Sequence, residues 1–370
     1  MGCCTICTKC FGFVVLLLAL LIGWMNTQPH PMGIVFATIF TLQGYGKPQT
    51  EAVPDDLTPS PRPAGEMFFD LPSGDKMPAI GIGMCCRPTA YDAVSVHRTT
   101  LWYLLQGGRH IDTASVYLNH EAIALGIKDA IARGVPRKEI FVTTKLWPGH
   151  FGYNASIQRG REMVKELGLE YIDLVLLHAP IQIEPSLLTK YYMGKLLGGK
   201  SVDSKLGSDP EVRQLRLEAW KGLSTLWKEG LIRNLGVSNF NIEHMKEVQA
   251  LKLAPISANQ MQFHPWAPDW MKSIKAFCEE NKIAVTGYFS LGGFDNKDKT
   301  MDLTPLNEVA KAHGRRTAQI LLRWSMQKNV AIIPGTGNPK HMADNLGTYG
   351  FSLTDEDMAK LDSMASLSIS

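Results

Sequence analysis

Between residues 78 and 336 the sequence holds eight short β-type runs with amphipathic stretches between them. The β-type runs are 78–84 (PAIGIGM), 108–114 (GRHIDTA), 140–146 (IFVTTKL), 172–179 (IDLVLLHA), 233–239 (RNLGVSN), 256–262 (ISANQMQ), 283–289 (IAVTGYF) and 331–336 (AIIPGT). Between them, 121–133, 155–167, 211–229, 241–251, 269–281 and 317–328 place apolar residues at helical spacing. Strands that alternate with helices build parallel βαβ units, and eight units close a (β/α)8 TIM barrel. An open doubly wound sheet is the rival. It would need a Gly-x-Gly-x-x-Gly turn after its first strand, and Gly81-Ile82-Gly83 runs instead into Met84-Cys85-Cys86. Ahead of the first run, MFFDLPSGDKMP reads as a hairpin that turns at Ser73-Gly74-Asp75 and closes the barrel floor.

A barrel takes about 250 residues, so a chain of 370 carries flanking sequence. Residues 11–25 (FGFVVLLLALLIGWM) are apolar and uncharged, and a second apolar stretch follows at 32–42. Residues 1–45 are therefore expected to be a hydrophobic targeting or membrane-anchor segment. Cys3, Cys4, Cys7 and Cys10 beside it suit S-acylation better than metal ligation. Residues 46–66, rich in Pro, Gly and acids and without periodicity, read as a flexible linker, which leaves 67–370 for the barrel. The body holds only Cys85, Cys86 and Cys278, which make no disulfide framework and predict a reduced domain. The stretches 181–210 and 291–303 are long for connections and would lie at the C-terminal face as lids. A net charge of +3, with no basic stripe, excludes nucleic acid as a partner.

The strand ends carry the chemistry. The second run leads to Asp112, with Tyr117 five residues on; the third ends near Lys145 and the fourth near His178. Each residue alone has a structural explanation. Four protic groups at the same ends of successive parallel strands converge on one pocket. Together they suit carbonyl reduction: Tyr117 passes a proton, Lys145 lowers the phenol's pKa, Asp112 holds Lys145, and a neutral His178 orients the substrate oxygen. The hydride must come from a nicotinamide. No metal-ligand cluster accompanies the group, and no carboxylate pair suggests hydrolysis.

The segments GRHIDTASVYLNHE, IFVTTKLW, YIDLVLLHAP, GLIRNLGVSNFN, NQMQFHPW, GYFSLGG and IIPGTGNPKHMADNL resemble, in order and spacing, the aldo-keto reductase superfamily. The resemblance runs from about residue 67 to the C-terminus. It implies a (β/α)8 barrel reducing an aldehyde or ketone, with Asp112, Tyr117, Lys145 and His178 as the tetrad and Tyr117 as the acid. It further implies that Ser238, Asn239 and Gln260 hold the nicotinamide carboxamide and that Tyr288 stacks on its ring. Leu291 falls on the pyrophosphate-side loop, and Thr336, Asp344 and Asn345 on the adenosine end. A cofactor-binding regulatory barrel with little turnover is the alternative within that superfamily. NADPH is the cofactor implied, with NADH also usable, because the Lys and Arg that clamp its 2′-phosphate are here Gly335 and His341. Met84, Cys85 and Ala179 stand where ring or hydroxyl side chains are usual in the substrate pocket. The oligomeric state is left open, with a monomer favoured.

Overall fold

The computed structural model describes residues 51–181, 209–292 and 301–366. The apolar run at 11–25, the N-terminal cysteines and most of both long connections lie outside the described residues. Among those described, no helix is long and apolar enough to cross a membrane.

Strands β1 (Phe68–Asp70) and β2 (Lys76–Pro78) form the hairpin expected at the floor. Its turn uses Gly74 at φ 86°, and Asn234 Nδ2 donates to Asp75 Oδ2 at 2.8 Å. Eight parallel strands follow: β3 (Ile82–Gly83), β4 (His110–Asp112), β5 (Phe141–Leu146), β6 (Ile172–Leu177), β7 (Ile232–Ser238), β8 (Ile256–Gln262), β9 (Ala284–Tyr288) and β10 (Ala331–Ile332). Each pairs with the next in sequence. A parallel bridge between Ile80 and Ile332 joins the two ends, with Gly81 N donating to Ile332 O and Ile332 N to Ala79 O, both at 2.8 Å. At this seam Gly83 lies so close to Ile333 that a Cβ would sit 2.6 Å from its carbonyl oxygen. The barrel is closed, and its first and last strands are shorter than the sequence suggests because the chain leaves the ladder there through Gly and Pro.

The helices alternate with the strands: α1 (Ala93–Leu105), α2 (His120–Ala132), α3 (Tyr153–Glu166), α4 (Pro210–Lys228), α5 (Ile242–Gln249), α6 (Asp269–Glu280), α7 (Thr304–His313), α8 (Thr317–Gln327), α9 (Pro339–Leu346) and α10 (Asp355–Ser363). Their starts are written locally. Asp92, Asp209, Asn241, Asn338 and Thr354 cap exposed amides of α1, α4, α5, α9 and α10, and Pro opens α4 and α9. Strands β5 and β6 are buried along their whole length, as strands covered on both faces must be.

Two expectations need correction. Residues 51–66 are held against the barrel. Trp102 Nε1 donates to Glu51 O at 3.1 Å, Arg133 Nη1 to Pro54 O at 2.8 Å, and Ser60 N to Leu105 O at 2.7 Å. Arg62 reaches Glu139 O at 2.8 Å, and Val53 and Leu57 pack on the core. Composition marks this strap as linker, but its attachment runs through its own backbone, which composition does not encode. A chain beginning at Met67 should therefore melt well below one beginning at Glu51, since each lost hydrogen bond is worth about 0.5–1.5 kcal/mol. Equal melting temperatures would show that the strap contributes nothing.

The second correction is redox. Cys85 and Cys86 are disulfide-bonded, and only Cys278 is free among the described residues. Cys86, the second of the pair, takes a left-handed backbone, φ 63°.

Candidate active site

Of the seven described non-glycine residues with positive φ, Lys252, Lys282 and Asn329 lead into strands, and the other four follow strand ends. Cys86, Leu118, Asn239 and Phe289 all have positive φ, and they follow β3, β4, β7 and β9. Such conformations cost about 1–3 kcal/mol each and cluster where side chains must be aimed.

Within this rim Lys145 on β5 is buried. Its Nζ donates to Asp112 Oδ1 at 2.6 Å and to Thr113 O at 2.8 Å. The other carboxylate oxygen of Asp112 accepts from Gln260 Nε2 at 2.6 Å. Tyr117 ends a 3-10 turn, Ser115–Tyr117, with its ring 5.3 Å from Lys145 Nζ. That ring stands edge-on to His178, centroids 5.7 Å apart. Asp112, Tyr117, Lys145 and His178 are thus brought together.

Ser238, Asn239, Gln260 and Tyr288 join the same network. Asn239 N donates to Gln260 O at 2.8 Å, Asn239 Nδ2 to His178 O at 3.1 Å and to Ser238 Oγ at 3.1 Å, and Tyr288 Oη to Asn239 Oδ1 at 2.7 Å. Leu291, just beyond β9, packs against the core. Thr336, Asp344 and Asn345 belong to the β10–α9 segment. There Thr336 Oγ1 accepts from Asn338 N at 3.0 Å, and Asp344 pairs with Arg316 at 2.7 Å.

Two contributors were not singled out from the sequence. Trp147 stands edge-on to His178 at 5.3 Å and supplies the ring surface that Ala179 lacks. Asn119 ties the tyrosine turn to the loop after β3, donating to Met84 O at 2.8 Å and accepting from Thr113 Oγ1 at 2.6 Å. Trp147 had a signal, an aromatic two residues past a strand-end lysine. Asn119 had none.

Burial dominates the electrostatics. It raises the Tyr117 phenol well above its ordinary value, and the Asp112 charge adds to the rise. The sequence predicts the opposite, a phenol lowered by Lys145. Asp112, 2.6 Å from the ammonium, offsets part of its field at the phenol, and burial decides the direction of the shift. Burial also lowers Lys145, partly offset by Asp112, and holds His178 well below the usual histidine range, helped by Lys145. Tyr288 is pushed up to about 12 by burial and then by Tyr117. His178 Nδ1 is buried without a partner among the described residues, whereas His110, on β4, has both ring nitrogens within 3.0 Å of oxygens and is a satisfied core histidine. The site therefore offers a protonated phenol beside a neutral imidazole. No group of three or more metal-ligating side chains occurs among the described residues.

Comparison with known proteins agrees with this geometry. The Aldo/keto reductase family matches residues 79–366. The 9,11-endoperoxide prostaglandin H2 reductase of Trypanosoma cruzi is 33% identical over 293 residues, 78% of this chain and 88% of that protein. Aldo-keto reductase family 1 member A1 of Mus musculus is 33% identical over 303 residues, 80% of this chain and 88% of its own. Among solved structures, Bombyx mori aldo-keto reductase in complex with NADP superposes with a TM-score of 0.68 at 28% identity, covering 84% of this chain and 95% of that one. On fold, site and sequence together, the chain belongs to the aldo-keto reductase family.

Proposed function

We propose that Tyr117, Lys145, Asp112 and His178 carry the reduction of a small aldehyde or ketone to an alcohol, with NADPH as the reductant and NADH also accepted. The chain is an NAD(P)H-dependent oxidoreductase, and the single observation that supports these roles is the raised, protonated Tyr117 phenol set edge-on to a neutral His178. The donor set suits a dinucleotide. Side chains of Ser238 and Asn239 share one network with Tyr288, and the Gln260 carbonyl joins it by accepting from Asn239 N; in this reading Leu291 serves the pyrophosphate side, and Thr336, Asp344 and Asn345 the adenosine end. When bound, the nicotinamide supplies hydride to the carbonyl carbon. Tyr117 Oη gives its proton to the developing alkoxide oxygen. His178 hydrogen-bonds the same oxygen and fixes its orientation. Asp112, itself held by Gln260, holds Lys145, whose ammonium lies near the phenolate that remains.

NADPH oxidation by the full-length chain against small aldehydes, sugars, keto acids and bulky ketones tests the reading; no turnover with any class would sink it. The reading also includes a monomer attached to membranes through the uncharged run at 11–25. Full-length protein should stay with membranes washed in alkaline carbonate, and its release into the wash would remove the anchor from the account.

A further inference from the structure

Two glycines after β10 are covered by the loop that follows β3. A Cβ on Gly335 would lie 2.9 Å from Nη1 of Arg87 and 3.1 Å from Gly83 O, and one on Gly337 would lie 2.7 Å from Thr89 Oγ1. The space a side chain at 335 would fill holds a guanidinium instead. Arg87 is fixed there: Nε donates to Thr89 Oγ1 at 3.0 Å, and Nη1 to Gly83 O and, at 3.4 Å, to Cys85 O. Among the described residues Nη2 meets only Met84 Sδ, at 3.5 Å, and a thioether is a weak acceptor.

The charge is as poorly matched as the donors. Among the described residues no carboxylate pairs with Arg87; burial lowers its pKa to about 10, with Tyr91 acting weakly in the other direction. It stays cationic at neutral pH. A half-buried cation without a carboxylate partner, one of whose amino groups, Nη2, faces only sulfur among the described residues, is poised for an anion. The loop it covers runs into the N-terminus of α9, where Asn338 Oδ1 accepts from Lys340 N at 2.9 Å, and helix N-termini favour phosphates.

We propose that Arg87 is a phosphate-binding residue of the dinucleotide site, its guanidinium delivered across bare Gly335 to grip a phosphate of the cofactor. This rests on the cofactor reading above. It also revises what position 335 means: the family's lysine is replaced by an arginine from another loop, and the glycine is what makes room for it.

Equilibrium binding by the full-length chain, followed by quenching of its tryptophan fluorescence, tests this. Arg87→Met should weaken NADPH about tenfold to a hundredfold, and Arg87→Lys should recover part of the loss. Loss for NADPH alone puts the guanidinium on the 2′-phosphate, and equal loss for NADH puts it on the diphosphate; both uphold the proposal. Gly335→Ala removes no charge, yet it should weaken binding in the wild-type chain by displacing Arg87. In Arg87→Met it should have no further effect. Wild-type binding that both Arg87→Met and Gly335→Ala leave unchanged overturns the proposal alone. A wild-type chain that binds neither dinucleotide overturns the cofactor reading and this one with it.

Discussion

Tyr117→Phe should lower carbonyl turnover by about two to four orders of magnitude while leaving dinucleotide affinity unchanged. The substitution keeps the ring, and so keeps its edge contact with His178 and its position over Lys145 Nζ. It removes only the hydroxyl. Because burial raises that phenol, it remains protonated through the neutral range and loses its proton only as pH climbs beyond the ordinary tyrosine value. Reduction should therefore be flat with pH around neutrality, and His178, held below its usual range, should add no inflection there. Steady-state NADPH oxidation across pH, paired with fluorescence binding, measures both quantities. A variant that keeps more than a tenth of wild-type kcat would assign the proton to another group.

Lys145→Met should damage fold and chemistry together, and the two losses can be separated. The ammonium is buried and satisfies one oxygen of an equally buried carboxylate. Without it, Asp112 keeps only the neutral Gln260 amide. Removing one partner of a buried pair typically costs about 3–5 kcal/mol, which lowers the melting temperature by roughly ten degrees. Adding Asp112→Asn removes the stranded charge and should restore most of the melting temperature. It should restore no turnover, because the phenolate still lacks a cation. Recovery of activity in the double variant would reduce Lys145 to a structural role.

The strand ends were legible because short apolar runs were each closed by a group too polar to sit there idly: Asp112, Lys145 and His178. Period and burial wrote the barrel, and the termini of its runs wrote the pocket. What escaped depends on pairs distant in sequence or on backbone conformation. Arg87 packs on Gly335 only once the barrel seam closes. Asn119 works through its reach to Met84, not through any motif. The strap at 51–66 is bound by its carbonyls, and Pro and acid content says nothing about where carbonyls point. Lys145 fixed the expected direction of the Tyr117 shift by its sign alone, and the answer turned on burial, with Asp112 offsetting part of that field.

The bond between Cys85 and Cys86 encloses no intervening chain. A disulfide that spans a long loop stabilises a protein by thinning out its unfolded ensemble, and the effect grows with loop length. One between neighbours constrains a single dipeptide, so breaking it leaves the rest of the polypeptide as free or as ordered as before. It is not a staple of the kind small secreted domains depend on. Its consequence is local: making or breaking it exchanges one fused ring for two separate thiols in the loop that carries Arg87, while the barrel beneath stays the same molecule.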